Sequence, residues 1–256
     1  MKPIPRNHEK RRFAAGSAPD PSAPLWLWGQ HAVEAAITNR NREITRQVAT
    51  ENAVKRTGLS GFDVLDAKTL GKLLPDGAVH QGLAVKVRPL EPLALEDLIA
   101  GPDAPNRLCV LDQISDPHNL GAMFRSAAAF AIGGLVLQTR HTPPITGIVA
   151  KAAAGAIEAV NEVRVVNIAR ALDALGEAGY HTIGLSGEGA ETVQAAVSGA
   201  PKIAFVMGAE GSGLRPAVAK ACATLARIPM APGMESLNVS NAAAIAFYEA
   251  FDEPAR

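Results

Sequence analysis

A lone arginine, Arg125, interrupts the small apolar stretch "GAMFRSAAAF". Placed in that pattern it implies a buried guanidinium, which needs partners. Just upstream, in "DPHNLG", Asn119 offers both an acceptor and a donor, suited to holding a cation or a polar substrate; it would serve equally well in capping a helix. Glu210 stands among Gly208, Gly211 and Gly213 in "VMGAEGSGL", where a carboxylate can orient a guanidinium, accept from a hydroxyl or merely stabilise a turn. Ser236 and Asn238, in "SLNVSN", precede a long alanine-rich segment, the position at which short polar side chains cap helix amides.

The glycine loop invites comparison with phosphate-binding loops and fails both tests. Gly208 and Gly213 have the spacing of a P-loop, but Leu214 stands where the lysine belongs. The order G-x-x-G-x-G is not the dinucleotide fingerprint, it comes late in its domain, and Glu210 would repel a pyrophosphate. A neutral or cationic ligand that lets backbone groups approach closely fits better, and adenosine joined to a sulfonium amino acid has that chemistry. Glycines serving only tight turns would leave the same pattern.

Several elements must position these residues. From Arg107 onward apolar runs alternate with helical patterns: "RLCVLDQI", "GLVLQT", "VRVVN", "HTIGLS" and "KIAFVMG" read as strands, and "NLGAMFRSAAAFAI", "ITGIVAKAAAGAIEAV", "IARALDALGEAG", "RPAVAKACATL" and "NVSNAAAIAFYEAF" as helices. That alternation predicts a parallel sheet covered on both faces, with ligands collecting at the carboxyl ends of its strands. Asp112, Ser186, Gly208 and Pro229 fall at or just past such ends. Residues 25–90 form a smaller α/β pattern, with strands at "LWLW", "REITRQVAT" and "GLAVKVRPL", helical spacing in "WGQHAVEAAI", and a helix expected in "VLDAKTLGKLL". The proline-bearing stretch 91–106 reads as a linker, and residues 1–24 as a flexible basic arm, broken by prolines, that either solubilises the chain or touches phosphate.

Composition bounds the class. Among 256 residues the 25 Lys+Arg balance the 25 Asp+Glu, so nucleic-acid binding would have to come from local charge. Hydrophobic residues reach 48% but aromatics only 4%, which implies close-packed helices built on small side chains. Cys109 and Cys222 give neither a zinc spacing nor a disulfide framework; with no membrane span and no secretory signal, a cytoplasmic location is expected.

Three stretches taken together, "LDQISDPHNLGAMFRSAAAF" (111–130), "AFVMGAEGSGL" (204–214) and "IPMAPGMESLNVSNAAAIAFYE" (228–249), resemble the SpoU branch of the SPOUT RNA methyltransferases in order and spacing. The resemblance implies an α/β catalytic domain over 107–256 with a deep trefoil knot, a homodimer, and methyl transfer from S-adenosylmethionine to an RNA ribose 2′-hydroxyl without a metal. "WGQHAVEAAI" and "VHQGLAVKV" resemble the small ribosomal-protein-like RNA-binding domain found in members that modify a guanosine of large-subunit (23S) ribosomal RNA. Transfer-RNA methylation by the same chemistry, or a non-catalytic ribosome-assembly role, are the competing expectations.

On this resemblance Arg125 contacts the ribose hydroxyl or an adjoining phosphate. An arginine is a very poor base, so positioning and charge stabilisation suit it better than proton abstraction. Asn119, Glu210, Ser236 and Asn238 complete the catalytic set. The cofactor loops correspond to Gly208, Ile228 and Leu237, with Leu185, Ser186, Met207, Ala209 and Met230 shaping the pocket. Candidate RNA contacts are Gln30, His31, Arg40, Arg42, Lys55, Arg56 and Lys151; no aromatic stripe accompanies them, so recognition by shape and backbone is expected. Asn241 departs from the family pattern, which favours a small or apolar residue there.

Overall fold

The structure is a computed structural model and describes residues 23–234 and 236–252. The basic arm expected over residues 1–24 therefore lies almost wholly outside the described residues.

The first unit pairs β1 (Leu25–Trp28), β2 (Ile44–Ala49), β3 (Asp63–Val64) and β4 (Leu83–Val87) in the order β1-β4-β2-β3. Both neighbours of β4 run antiparallel to it, and β3 lies parallel to β2. Its helices are α1 (Gln30–Thr38), α2 (Glu51–Thr57) and α3 (Ala67–Gly71). Gly29 turns the chain from β1 into α1 at φ 86°, where glycine carries no steric penalty. Only the short pieces β3 and α3 occupy the segment read as one helix, because Asp66 takes an extended conformation and caps α3 through Thr69 N–H.

The second unit begins with α4 (Leu95–Ile99) and builds a sheet in the order β7-β6-β5-β10-β8-β11-β9. Its strands are β5 (Arg107–Leu111), β6 (Gly134–Gln138), β7 (Asn161–Val165), β8 (His181–Leu185), β9 (Glu191–Thr192), β10 (Ile203–Met207) and β11 (Thr224–Arg227), and every pairing is parallel. The near-continuous apolar strands follow from cover on both faces. Against one face pack α5 (Pro117–Ala129), α6 (Gly147–Ala153), α8 (Val193–Val197) and α10 (Val239–Glu249); against the other pack α4, α7 (Ile168–Glu177) and α9 (Pro216–Ala221).

Three local readings are corrected. The helix expected across 145–160 breaks after α6, where Ala154 (φ 50°) and Gly155 (φ 93°) are both left-handed, and resumes as a single 3-10 turn. The helix expected across 215–225 ends at Ala221, and "TLAR" becomes β11 because its backbone pairs with β8 and β9. The stretch 91–106 is no free tether: Leu93 N–H bonds Glu162 O, and α4 buries Leu95 and Leu98 against the sheet.

The two units share one apolar core, in which Leu27, Val33 and Val85 join Val149, Ala153 and Ile157. Close approach is built in at Gly147, where a β-carbon would overlap the Trp28 ring, and at Gly155, where it would come within 2.7 Å of Ala35 Cβ. α6 packs in turn on α5: a β-carbon on Gly121 would lie 2.5 Å from Ala152 Cβ and 2.7 Å from Val149 O.

Candidate active site

Four neighbouring strands of the sheet, β5, β10, β8 and β11, deliver four loops to one edge. The loop after β5 leads into α5, whose N-terminus is capped by Asp116, not by Asn119. Asn119 lies one turn on, 8% exposed, and points into the sheet edge. Its Nδ2 donates to Glu210 Oε2 at 3.3 Å, and its Oδ1 accepts from Asn238 Nδ2 at 3.0 Å. Asn238 is the N-cap of α10, its Oδ1 accepting from Ser240 N at 2.9 Å and from Ser240 Oγ at 2.6 Å. One amide thus ties together the three stretches singled out in the sequence. Ser236 is exposed on the approach to α10 and joins none of these bonds.

The glycine loop after β10 folds back on itself. Ala209 bridges Gly213, and a β-carbon on Gly208 would overlap the Gly213 and Leu214 backbone. Two cations lock the loops, and the sequence reading missed both. Asp112, fully buried at the end of β5, accepts from Arg215 Nε at 2.9 Å, from its Nη2 at 2.6 Å and from its backbone N–H at 3.3 Å. That hydrogen-bonded carboxylate raises the Arg215 pKa above its ordinary value. Arg227 donates to the carbonyls of Gly189 and Ala190 at 2.7 Å, closing the loop after β8 over β11. The readable signal was a carboxylate ending an apolar strand and an arginine just past the glycines; the pairing itself needs the fold. Cys222, close enough to Asp112 to feel its charge, has its thiol pushed up to about 11, first by burial and then by that carboxylate.

Leu185 and Ser186 end β8, Met207, Gly208 and Ala209 end β10, and Ile228, Met230 and Leu237 lie in the segment after β11. Ser186 N–H bonds Ala226 O, so the β8 and β11 exits run together. All eight candidate cofactor residues therefore belong to three adjacent strand exits. Leu185, Ile228, Met230 and Leu237 are half-buried apolar side chains, and the loop arginines 215 and 227 are engaged by Asp112 and by carbonyls. The donor set suits a flat, apolar, positively charged ligand and would not repel a sulfonium.

Arg125 departs from expectation. It lies on the exposed face of α5 with Ala128 and Ala129, and it bonds neither Asn119 nor Glu210. The apolar look of its helix came from alanines, which occupy both faces. Arg42 also differs: it is no surface cation but a buried one, its side chain 4% exposed, with Nε and Nη2 on Glu158 and Nη1 on Arg88 O at 2.8 Å. It cannot reach RNA without breaking that pair. Lys55 is exposed and paired with Glu51 at 2.7 Å, while His31 and Arg40 are exposed on and after α1. Gln30 and Arg56 line one open cavity, and Lys151 reaches the Gln81 that also lines it.

The family model of the SpoU rRNA Methylase family matches residues 106–248, from the start of β5 through the network-bearing α10. The chain belongs to the SpoU rRNA methylase family. The 23S rRNA (guanosine-2′-O-)-methyltransferase RlmB of Vibrio cholerae is 36% identical over 239 residues, covering 88% of this chain and 95% of that protein. The Escherichia coli K12 protein of the same name is 36% identical over 243 residues, covering 88% and 96%. Among solved structures, the SpoU methyltransferase AviRb of Streptomyces viridochromogenes, in complex with AdoMet, superposes with TM-score 0.71 at 22% identity, covering 89% of each chain. The AdoMet-bound rRNA methyltransferase of Sinorhizobium meliloti gives TM-score 0.72 at 24% identity, covering 89% of this chain and 86% of that one. These likenesses make the fold that of the SPOUT methyltransferases. In this SpoU-family chain the matched region holds every candidate catalytic and cofactor residue. Among the described residues no cluster of three metal-ligating side chains occurs, and no helix is long and apolar enough to cross a membrane.

Proposed function

We propose that the chain transfers a methyl group from S-adenosylmethionine to the ribose 2′-hydroxyl of a guanosine in 23S ribosomal RNA. The observation that carries this reading is the Glu210–Asn119–Asn238 network, which unites the family's three stretches at one sheet edge, in a chain 36% identical to 23S rRNA guanosine methyltransferases across 88% of its length. The cofactor supplies an electrophilic methyl group. The residues of this chain then have two tasks: to hold the sulfonium nucleoside between the exits of β8, β10 and β11, and to fix the incoming hydroxyl in line with it. Asn119 keeps the Glu210 carboxylate at the mouth of the glycine loop, where it favours the positive sulfonium and can accept from a ribose hydroxyl.

Arg125 fits a role in holding the phosphate beside the reacting sugar, since its guanidinium is exposed and unengaged among the described residues. A homodimer fits the same face. Asn241, Ile245 and Tyr248 form an exposed stripe along α10, Tyr248 being 65% exposed, and Tyr248 meets Phe130 at the end of α5 edge-on at 5.8 Å. A second copy packed there would cover the exposed Ile245 and Tyr248 side chains. Trefoil threading is supported by β11, which inserts between β8 and β9 beneath the Gly189 loop, and a cytoplasmic enzyme by the RNA substrate.

The test is to incubate deproteinised large-subunit and transfer RNAs with the protein and labelled S-adenosylmethionine, then map ribose methylation. A single guanosine in 23S RNA is expected. Label confined to transfer RNA would replace the substrate assignment, and no label on either RNA with cofactor bound would favour an assembly role.

A further inference from the structure

We propose that Asp112 and Arg215 form a clamp that sets the position of the glycine loop, residues 208–214, and through it the placement of Glu210 and the affinity for S-adenosylmethionine. Both act as positioning residues, since neither bonds a member of the Glu210–Asn119–Asn238 network. The inference rests on the functional reading above and deepens it.

The loop starts and ends on one residue. Asp112 N–H donates at 2.8 Å to the carbonyl of Met207, the last residue of β10. Its carboxylate receives the residue that follows the loop: Oδ1 accepts from Arg215 Nε at 2.9 Å and from Nη2 at 2.6 Å, and Oδ2 from the Arg215 backbone N–H at 3.3 Å. Between those feet the chain doubles back. Gly213 N–H donates to Ala209 O at 2.9 Å, and Gly211 and Gly213 are both left-handed. The return leg straddles β10. Arg215 is seated on β5 through Asp112, and Leu214 lies over β8, where a β-carbon on Gly184 would come within 2.9 Å of Leu214 Cδ1. The exposed tip carries Glu210, whose Oε2 accepts from Asn119 at 3.3 Å. A shift of the Arg215 foot is therefore passed along a short hairpin to the carboxylate at its tip.

Local stability does not call for an arginine here. Arg215 is the N-cap of α9, where Ser, Thr, Asp or Asn would satisfy free amides, and its side chain caps none. A cation at that end also opposes the helix dipole. Burying the Asp112 carboxylate completely costs desolvation, and a buried ion pair is often no better for stability than packed apolar side chains. What the pair supplies is geometry, because two parallel bonds from a planar fork fix direction as well as distance. Asp112 is the fixed end, at the exit of a strand paired on both sides with β6 and β10. Arg215 is the end that the loop brings to it.

The experiment uses the full chain as wild type, R215K, which keeps the charge and loses the fork, R215Q, which loses both, and R107Q. Arg107 starts the strand that Asp112 ends, and it holds Ala250 O and Asp252 at the opposite edge of the sheet. S-adenosylmethionine affinity is read by calorimetry without RNA. Hydrogen exchange is followed at the amides of residues 208–214 in the cofactor-free protein, and kcat and KM for RNA are measured at saturating cofactor. R215K should weaken cofactor binding about tenfold and R215Q about 100-fold, with kcat falling in step and KM for RNA unchanged. Exchange at the Gly213 amide should quicken about tenfold in R215K while the β10 amides keep their protection. R107Q should match the wild type in all of these.

Wild-type cofactor affinity or wild-type loop exchange in a folded R215K overturns the proposal, and so does an equal loss in R107Q. R215Q strands a buried carboxylate, so if it melts early R215K alone decides. Affinity and exchange need no RNA. Their loss in R215K, beside a wild type that methylates no RNA, would retain the clamp and reject the functional reading; methylation of 23S RNA with an unchanged R215K would do the reverse.

Discussion

Asn238 donates to Asn119 at 3.0 Å although the two stand 119 residues apart in the chain. The bond sets the start of α10 against the start of α5, and because Asn119 passes the contact on to Glu210, it fixes the glycine loop as well. An amide suits this position because it donates and accepts at once; neither a carboxylate nor an alanine can do both.

Asn119→Ala should therefore cost more than one bond. It frees the exposed Glu210 carboxylate and leaves Asn238 with its Ser240 bonds alone, lowering stability by about 1 kcal/mol, and it lets the loop carboxylate drift, lowering methyl-transfer rate on the order of 100-fold. Initial rates and urea melts on the same sample check this; a folded variant with wild-type turnover would remove the network from the mechanism.

Arg125→Ala should abolish turnover with little change in fold. The side chain is exposed and no described residue bonds it, so unfolding free energy should move by no more than about 0.5 kcal/mol. Arg125→Lys keeps the charge but not the fork geometry, and should recover only a small fraction of the rate. Steady-state kinetics beside a thermal melt distinguish this from a structural arginine, for which rate and stability would fall together.

How much of this was legible in the sequence depended on what each residue touches. The strands "LWLW", "GLVLQ" and "IAFVM" announced themselves, because a strand buried on both faces is an apolar run whatever packs on it. β11 did not: "TLAR" is short and half-buried, and only pairing with β8 and β9 makes it a strand. The convergence of Asn119, Glu210 and Asn238 followed from motif order. The exposure of Arg125 did not, since alanines on both sides of α5 hide which face is wet. The burial of Arg42 and the pairing of Asp112 escape the sequence for one reason: their partners, Glu158 and Arg215, lie more than a hundred residues away.

Arg42→Ala should unfold the seam rather than weaken RNA binding. Glu158 is 5% exposed and accepts from Arg42 and from Asn39 Nδ2 at 2.7 Å, so truncating the arginine strands a buried carboxylate at a cost of about 3–5 kcal/mol. The folded fraction of the variant should bind RNA with the wild-type salt slope. A fall in slope of about 1 with unchanged stability would show that Arg42 reaches phosphate after all.

Gly208→Ala tests the glycine loop as a cradle. The new methyl group would overlap the Gly213 and Leu214 backbone, so the hairpin between Ala209 and Gly213 has to open. S-adenosylmethionine affinity, read by calorimetry, should weaken at least tenfold, about 1.4 kcal/mol, while RNA affinity is kept. Equal weakening of both ligands would point to general unfolding instead.

Stability should fall as pH rises above about 9, and the sign follows from the two thiols. Burial raises the Cys109 pKa far above its ordinary value, and burial together with Asp112 pushes Cys222 up to about 11. In the unfolded chain both ionise near pH 9, so between that pH and their folded values the native state binds more protons than the unfolded one, and raising the pH favours unfolding. Desolvation raises Tyr180 as well, adding to the same slope from about pH 10. Melting temperatures from pH 8 to 10.5 should decline for the wild type, and less steeply for Cys109→Ala/Cys222→Ala after correction for its lower starting stability. A parallel decline in the double variant would take the effect away from the thiols and leave it to Tyr180.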